Sequence, residues 1–390
     1  MEPDTCALPG PAPEARSAAV PTHPGTPTLA DLTTLRVGGP VGRYVEATTE
    51  AELVETVRSA DAAGEPVLVL GGGSNVLAAD AGFAGVVVRD VRGGVQVPDA
   101  SACAGVTLTV PAGTVWDDVV AYAVEHELVG VEALSGIPGS TGATPVQNVG
   151  AYGQEVAETI AQVRVWDRGA GRVRTLAWVN LAFGYRTSLL KRSMRETSTA
   201  DPRAPWAPTP RYVVLDVTFQ LRPGSLSAPV AYPELARTLG VAVGERAPLA
   251  EVRAAVLALR ARKGMVLDAD DHDTWSAGSF FTNPVLTAAA AEHLPADAPR
   301  WALPDGGVKT SAAWLIEHAG FGRGHGAPGP AALSSRHTLA LTNRGGARAA
   351  DLLALAGQVR DGVLDRFGVA LEPEPVLVGA ALPAVPATAG

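Results

Sequence analysis

The stretch that most constrains this chain is Leu134 to Gly153, reading LSGIPGSTGATPVQNVGAYG. It has neither the alternation of a half-buried strand nor the 3.6-residue rhythm of an amphipathic helix. Glycines at 136, 139, 142, 150 and 153 allow positive φ or close backbone approach. The amides so exposed suit a polyanionic or planar partner, and Gln147 and Asn148 add donors and acceptors. A loop of this length inside a folded domain is functional or disordered, and its apolar flanks argue against disorder. A long surface loop is the bland alternative.

A second glycine run lies upstream. Pro66 to Leu70 (PVLVL) reads as a short buried strand running straight into Gly71-Gly72-Gly73-Ser74-Asn75. This is neither G-x-G-x-x-G nor a P-loop, because no Gly-Lys-Ser/Thr follows. Gly82 and the apolar Val86 to Val88 come next instead of a long helix. The run therefore reads as a phosphate-cradling loop between strands, with a plain tight turn as the alternative.

The remaining elements follow from local signals. Thr49 and Glu52 form a capping box for a helix that presents Leu53, Val54 and Val57 inward and stops at Gly64. Val106 to Val110 is a strand, and Thr114 with Asp117 caps a helix carrying Val115, Val119, Tyr122 and Ala123. Val163 to Val173, Leu176 onward and Arg211 to Leu221 read as strands, the last with clean alternation. Pro223-Gly224 marks a boundary, beyond which the pattern is helix-rich α+β. Helices are expected over Leu249–Arg260, Lys309–His318 and Ala347–Phe367, and strands over Thr338–Thr342 and LEPEPVLVG. The organisation expected is a Pro/Ala-rich disordered tail over 1–28, a first domain over 29–223, a second over 224–368, a returning strand over 369–380, and a tail over 381–390.

Composition narrows the function. A formal net charge of −9 argues against general nucleic-acid binding, so any anion site must gather its cations locally. Lysine occurs only at 191, 263 and 309. Two cysteines give neither a disulfide framework nor a cluster-ligating spacing. No apolar run is long enough to span a bilayer, and the N-terminus has no signal-like apolar region, so a cytoplasmic protein is expected. There is no H-E-x-x-H, no zinc-type Cys/His set and no G-x-S-x-G, so no metal is expected. Asp270-Asp271-His272-Asp273 reads as a solvated acidic loop rather than a cation site.

Three polar positions in apolar or glycine-rich surroundings stand out. Arg186 follows Phe183-Gly184-Tyr185 and suits a bidentate clamp on a carboxylate, or a structural ion pair. Ser279 lies between Gly278 and Phe280 and reads as a proton donor in a dry pocket, or a turn serine. Glu372 and Glu374 share one face of a strand that Pro373 and Pro375 must bend or leave at an edge. Either glutamate could be a working acid.

Together LRVGGP, LGGGSNVL, GIPGSTGATPVQNVGAYG, FGYRTS, AGSFFTNP and LEPE, in this order and spacing, resemble the UDP-N-acetylenolpyruvoylglucosamine reductase (MurB) family over roughly Leu29 to Gly379. The resemblance implies an α+β fold: an FAD-binding PCMH/vanillyl-alcohol-oxidase-type unit of two subdomains, a smaller α+β substrate-binding domain, and a C-terminal strand returning to the first domain. It implies non-covalent FAD, NADPH as hydride donor, and reduction of UDP-N-acetylglucosamine enolpyruvate to UDP-N-acetylmuramate for peptidoglycan. The implied FAD contacts are Gly71, Gly72, Gly73, Ser74 and Asn75 at the pyrophosphate. Ser135, Pro138, Gly139, Gly142, Ala143, Gln147, Asn148, Gly150, Ala151, Tyr152, Gly153 and Arg260 line the pyrophosphate and flavin. The motifs carry catalytic roles to Arg186, Ser279 and Glu374, and substrate contacts to Tyr185, Tyr232, Lys263 and Asn283. Thr282 departs from the family's lysine in the serine motif, and the Lys263-to-Ser279 spacing is longer than in short members. The rivals are another FAD-dependent oxidase of the same fold and a non-catalytic nucleotide-sugar binder. Val76 to Val88 has no histidine to tether a flavin, which counts against the first. A binder has no reason to keep the arginine, serine and glutamate together.

Overall fold

The computed structural model describes residues 26–101, 105–197 and 203–384, so the expected disorder over 1–25 and the tail beyond 384 lie outside the described residues. Thr28, expected in the disordered tail, instead bridges Pro40 and caps the Leu29–Leu32 helix. The chain divides into two units. Each unit is interleaved in sequence: the first holds Arg43–Gly72 and Gly85–Ala261, and the second holds 26–42, 73–84 and 262–384. The first glycine run is split at 72/73 by this division.

Among the described residues the first unit contains the two-stranded pair Gly150–Ala151 with Gln154–Glu155 and two larger sheets. The smaller orders Val41–Ala47, Phe83–Asp90 and Val67–Leu70, the last two parallel. Glu50–Ala63 packs on it through Leu53, Val57 and Ala60, with the Thr49/Glu52 capping box formed and Gly64 ending the helix at φ 68. Here local chemistry is enough: the box satisfies orphan N–H donors and a left-handed glycine closes the last turn. The larger sheet is antiparallel and orders Arg172–Ala177, Ile160–Asp167, Tyr212–Pro223, Gly105–Pro111 and Gln96–Ser101. Its inner face meets the Trp116–Glu125 helix over a core of Val110, Trp116, Val120, Val165, Val217 and Phe219.

The helix at Trp116 corrects one expectation. Its N-cap is Val115, without a side-chain cap. The Thr114 hydroxyl donates to Gly94 O at 3.2 Å instead. Asp117 accepts the Gly136 N–H at 2.6 Å and pairs bidentately with Arg253 at 2.7 and 2.8 Å. A carboxylate offered an amide and a guanidinium is better satisfied there than at the helix end.

Pro223-Gly224 is likewise no boundary. Val230, Leu235, Ala236, Val252, Val256 and Leu259 form one core with Ala133, and Tyr152 packs against it. The Pro233–Leu239 and Leu249–Arg262 helices therefore belong to the first unit, and the division falls after Ala261.

The second unit is built round the Ala349–Phe367 helix, ended by Gly368 at φ 68. Its buried Leu352, Leu355, Val359 and Val363 meet Phe280, Phe281, Leu315, Ile316 and Leu333. The expected helix over Lys309–His318 starts later. Val308–Thr310 is the middle strand of a small antiparallel sheet, and Ser311 then caps Ala312–His318. The expected strand over Thr338–Thr342 narrows to Leu341–Asn343. The C-terminal strand is only Val376–Val378, pairing parallel with Val76–Ala78. Glu372 and Glu374 lie outside it, because the prolines between and after them cannot donate to a ladder. The acidic loop is not wholly solvated: Asp273 is buried, bonded to Ser335 and to Arg344 at 2.9 Å, while Asp271 pairs with Arg336 at 2.7 Å. These contacts outweigh burial and hold the Asp273 carboxyl below its usual range. No described helix is long and apolar enough to cross a membrane.

Candidate active site

In the first unit the two glycine stretches meet. A Cβ placed on Gly72 would lie 2.7 Å from Gly139 Cα, and one on Gly71 would strike the Ser140 hydroxyl. Side chains are excluded here by a facing backbone, not by an open surface. Among the described residues, the N–H groups of Gly71, Gly72, Gly139 and Ser140 find no acceptor in the protein. Ser140 is also buried, and a buried unpaired donor costs about 1–3 kcal/mol unless a ligand or water takes it. Four unspent amides on two apposed small-residue loops fit the pyrophosphate of FAD.

Downstream the loop is fastened by side chains. Asn148, at φ 49 and buried, donates to Glu155 Oε2 at 2.6 Å and Gly184 O at 3.2 Å, and accepts from the Ala157 N–H at 3.2 Å. Its side chain is thus engaged by protein groups. Gly184 and Thr187 exchange both backbone hydrogen bonds, so Tyr185 and Arg186 form a two-residue turn. Arg186 has φ 52, a region other L-residues than Asn and Asp seldom enter. Its guanidinium donates to Gly150 O at 2.7 Å and Asn148 O at 3.4 Å. The cation expected to meet a carboxylate is therefore anchored on the loop expected to hold the cofactor.

Arg260 donates to Gly136 O at 3.2 Å. Burial draws its pKa down, against the opposing pull of Tyr152 and Asp117. Burial acts to raise the Asp117 carboxyl, but Arg253, the Gly136 amide and Arg260 together hold it below its ordinary range. Tyr152 meets Tyr232 edge-on at 5.4 Å, and Tyr232 is exposed.

Two expected FAD contacts fare differently. Ser135 is fully buried with its hydroxyl on Glu132 O at 2.7 Å, so no part of it faces a ligand. Gly142 is buried with its N–H on Ala112 O, and a Cβ there would meet Ala112 Cβ at 2.5 Å. Both residues support the loop from behind. Pro138, Ala143 and Gly153 are exposed, and Gln147, Gly150, Ala151 and Tyr152 are half-buried.

In the second unit Ser279 is half-buried, and its hydroxyl bonds to no described residue. The segment after it pairs with 372–374: Phe281 bridges Pro373, the Thr282 N–H donates to Glu372 O at 3.1 Å, and the Glu374 N–H donates to Phe280 O at 2.8 Å. Ser279 and Glu374 are thereby brought to neighbouring backbone positions. Asn75 joins them, accepting from the Val376 N–H at 2.9 Å and donating to Glu374 O at 3.4 Å. Gly73 is tightly packed beneath this group, at φ 63 against Leu32 O. Asn283 accepts the Ala312 N–H at 2.9 Å, so its oxygen caps a helix. Lys263 is half-buried.

Sequence reasoning passed over Ser140, whose amide opens the cradle, and Lys191, which is buried and donates to Arg186 O at 3.2 Å. The rarity of lysine was the available signal for the second.

Comparison with known proteins identifies the family. Residues 41–177 match an FAD binding domain, and 270–378 match the C-terminal domain of UDP-N-acetylenolpyruvoylglucosamine reductase. The UDP-N-acetylenolpyruvoylglucosamine reductase of Cutibacterium acnes is 55% identical over 90% of this chain and 89% of its own length. Those of Nocardia farcinica and Thermobifida fusca are 56% and 51% identical, each over 91% of this chain and 89% and 97% of their own. The crystal structure of the Thermus caldophilus enzyme superposes with a TM-score of 0.57 at 26% identity, over 91% of this chain and 98% of that one. The chain belongs to the UDP-N-acetylenolpyruvoylglucosamine reductase family and is an FAD-dependent oxidoreductase.

Proposed function

We propose that this chain reduces UDP-N-acetyl-3-O-(1-carboxyvinyl)-glucosamine to UDP-N-acetylmuramate at the expense of NADPH, supplying a peptidoglycan precursor. The observation that carries the reading is Arg186: a guanidinium on a left-handed turn, fastened to Gly150 O at 2.7 Å within the glycine-rich loop. FAD, when bound, supplies the hydride carrier between the nicotinamide and the enolpyruvyl double bond. The chain supplies the rest. An enol ether conjugated to a carboxylate resists hydride until the carboxylate charge is neutralised, and Arg186 provides that neutralisation as charge develops. Ser279, with a hydroxyl uncommitted to any described residue, gives the proton to the α-carbon. Glu374, brought beside Ser279 by the pairing of 280–282 with 372–374, is the accompanying acid. Gly71, Gly72, Gly139 and Ser140 offer their amides to the pyrophosphate, and Tyr185, Tyr232, Lys263 and Asn283 hold the nucleotide-sugar substrate.

Stopped-flow traces of the two half-reactions test the assignment. Arg186→Ala and Ser279→Ala should each slow substrate-driven reoxidation of the flavin about 10²–10³-fold while NADPH-driven bleaching stays near the unaltered rate. Equal loss in both halves would contradict the roles.

A further inference from the structure

Lysine is scarce in this chain, at three positions against many arginines, and one of the three is buried under the Arg186 turn. Lys191 is 9% exposed and lies on the short Leu189–Arg192 helix. Its ammonium donates to Arg186 O at 3.2 Å and to Gln147 Oε1 at 3.4 Å. Ser188, which caps that helix by accepting the Lys191 N–H at 3.3 Å, also donates to Val146 O at 2.5 Å. The Arg186 segment is thus tied to the glycine-rich loop from both sides. Asn148 holds Gly184, the Arg186 guanidinium holds Gly150, Ser188 holds Val146, and Lys191 spans Arg186 and Gln147.

We propose that Lys191 is a positioning residue for Arg186. Its charge-assisted bond to the Arg186 carbonyl holds the peptide plane that follows a left-handed, non-glycine residue, and so fixes the direction in which the guanidinium leaves the turn. Through Gln147 the same ammonium ties that direction to the cofactor loop. Only an ammonium suits the place, because its donors rotate about a point charge, while the planar fork of an arginine meets acceptors in one plane. The inference rests on the role given to Arg186 above.

Lys191→Met and Lys191→Arg holoenzymes would be compared with the unaltered protein in three measurements: FAD content, the two stopped-flow half-reactions, and enolpyruvyl-nucleotide binding followed by perturbation of the flavin spectrum. A displaced guanidinium of about 1 Å is worth about 10²-fold in rate. Lys191→Met is expected to keep its FAD and its NADPH-driven bleaching within about twofold, to lose about 10–100-fold in reoxidation by the nucleotide, and to lose less than tenfold in its binding. Lys191→Arg should show the same split at about 3–10-fold. Adding Lys191→Met to Arg186→Ala should bring no further loss, since both act through one guanidinium. Reoxidation of Lys191→Met at the unaltered rate, equal loss in both halves, or additive losses in the double variant would overturn the inference. If Lys191→Met does not retain FAD, Lys191→Arg decides, and unaltered rates in both its halves would also overturn it. An unaltered protein never reoxidised by the nucleotide sinks the functional reading itself. One that is reoxidised, and matched by its Lys191→Met variant, sinks only the claim for Lys191.

Discussion

Gly72→Ala tests the contact on which the proposed cofactor cradle depends. The added methyl would stand 2.7 Å from Gly139 Cα, and Gly72 is not in a left-handed conformation, so the perturbation is steric alone. Ordinary van der Waals contact begins near 3.4 Å, so the facing backbone must retreat by about 0.7 Å. No flexible side-chain end can absorb this, because the atoms met are the Cα, C and N of Gly139. A retreat of that size stretches an amide–phosphate hydrogen bond from about 2.9 Å to about 3.6 Å, beyond useful length. One hydrogen bond to a charged group is worth about 1.5–3 kcal/mol, so FAD should bind about 10- to 150-fold more weakly. The assay is fluorescence titration of the apoprotein with FAD, alongside flavin-to-protein absorbance of the protein as purified. Gly346→Ala is the control: a Cβ there meets nothing within 4 Å, and its affinity should stay within about twofold of the unaltered protein. Full stoichiometry and unchanged affinity in Gly72→Ala would refute the claim that apposition of these loops builds the site.

Two further outcomes follow from side chains that hold the loops. Asp117 has a folded pKa below its ordinary value of 3.8, so its share of stability is complete above that value and is lost as pH falls through the lower, folded one. Acid titration followed by circular dichroism should therefore show Asp117→Asn less stable at neutral pH, with a shallower decline below pH 3.8 than the unaltered protein, and parallel curves would contradict the Gly136–Asp117–Arg253 clamp. Asn148→Ala strands the acceptors Glu155 and Gly184 O and the Ala157 N–H, and should lower unfolding free energy by about 2–4 kcal/mol in urea, whereas a change under about 0.5 kcal/mol would show that water replaces the amide without loss.

The sequence by itself determined whatever is settled within a few residues. Thr49 with Glu52, Gly64 and Gly368 mark helix ends because capping partners lie within four positions of one another. Apolar periodicity likewise found the buried face of the Ala349–Phe367 helix, and the ordered motifs identified the family. Tertiary structure decided what depends on distant backbone. It diverted Asp117 from its own helix to Gly136 and Arg253, drew the Pro233–Leu239 and Leu249–Arg262 helices into the first unit, and turned Ser135 and Gly142 inward. It also gave the glycines of 71–73 their reason. Local pattern shows where a chain can bend, but which atoms then exclude a side chain, or supply a charge with its partner, is known only when remote segments have packed.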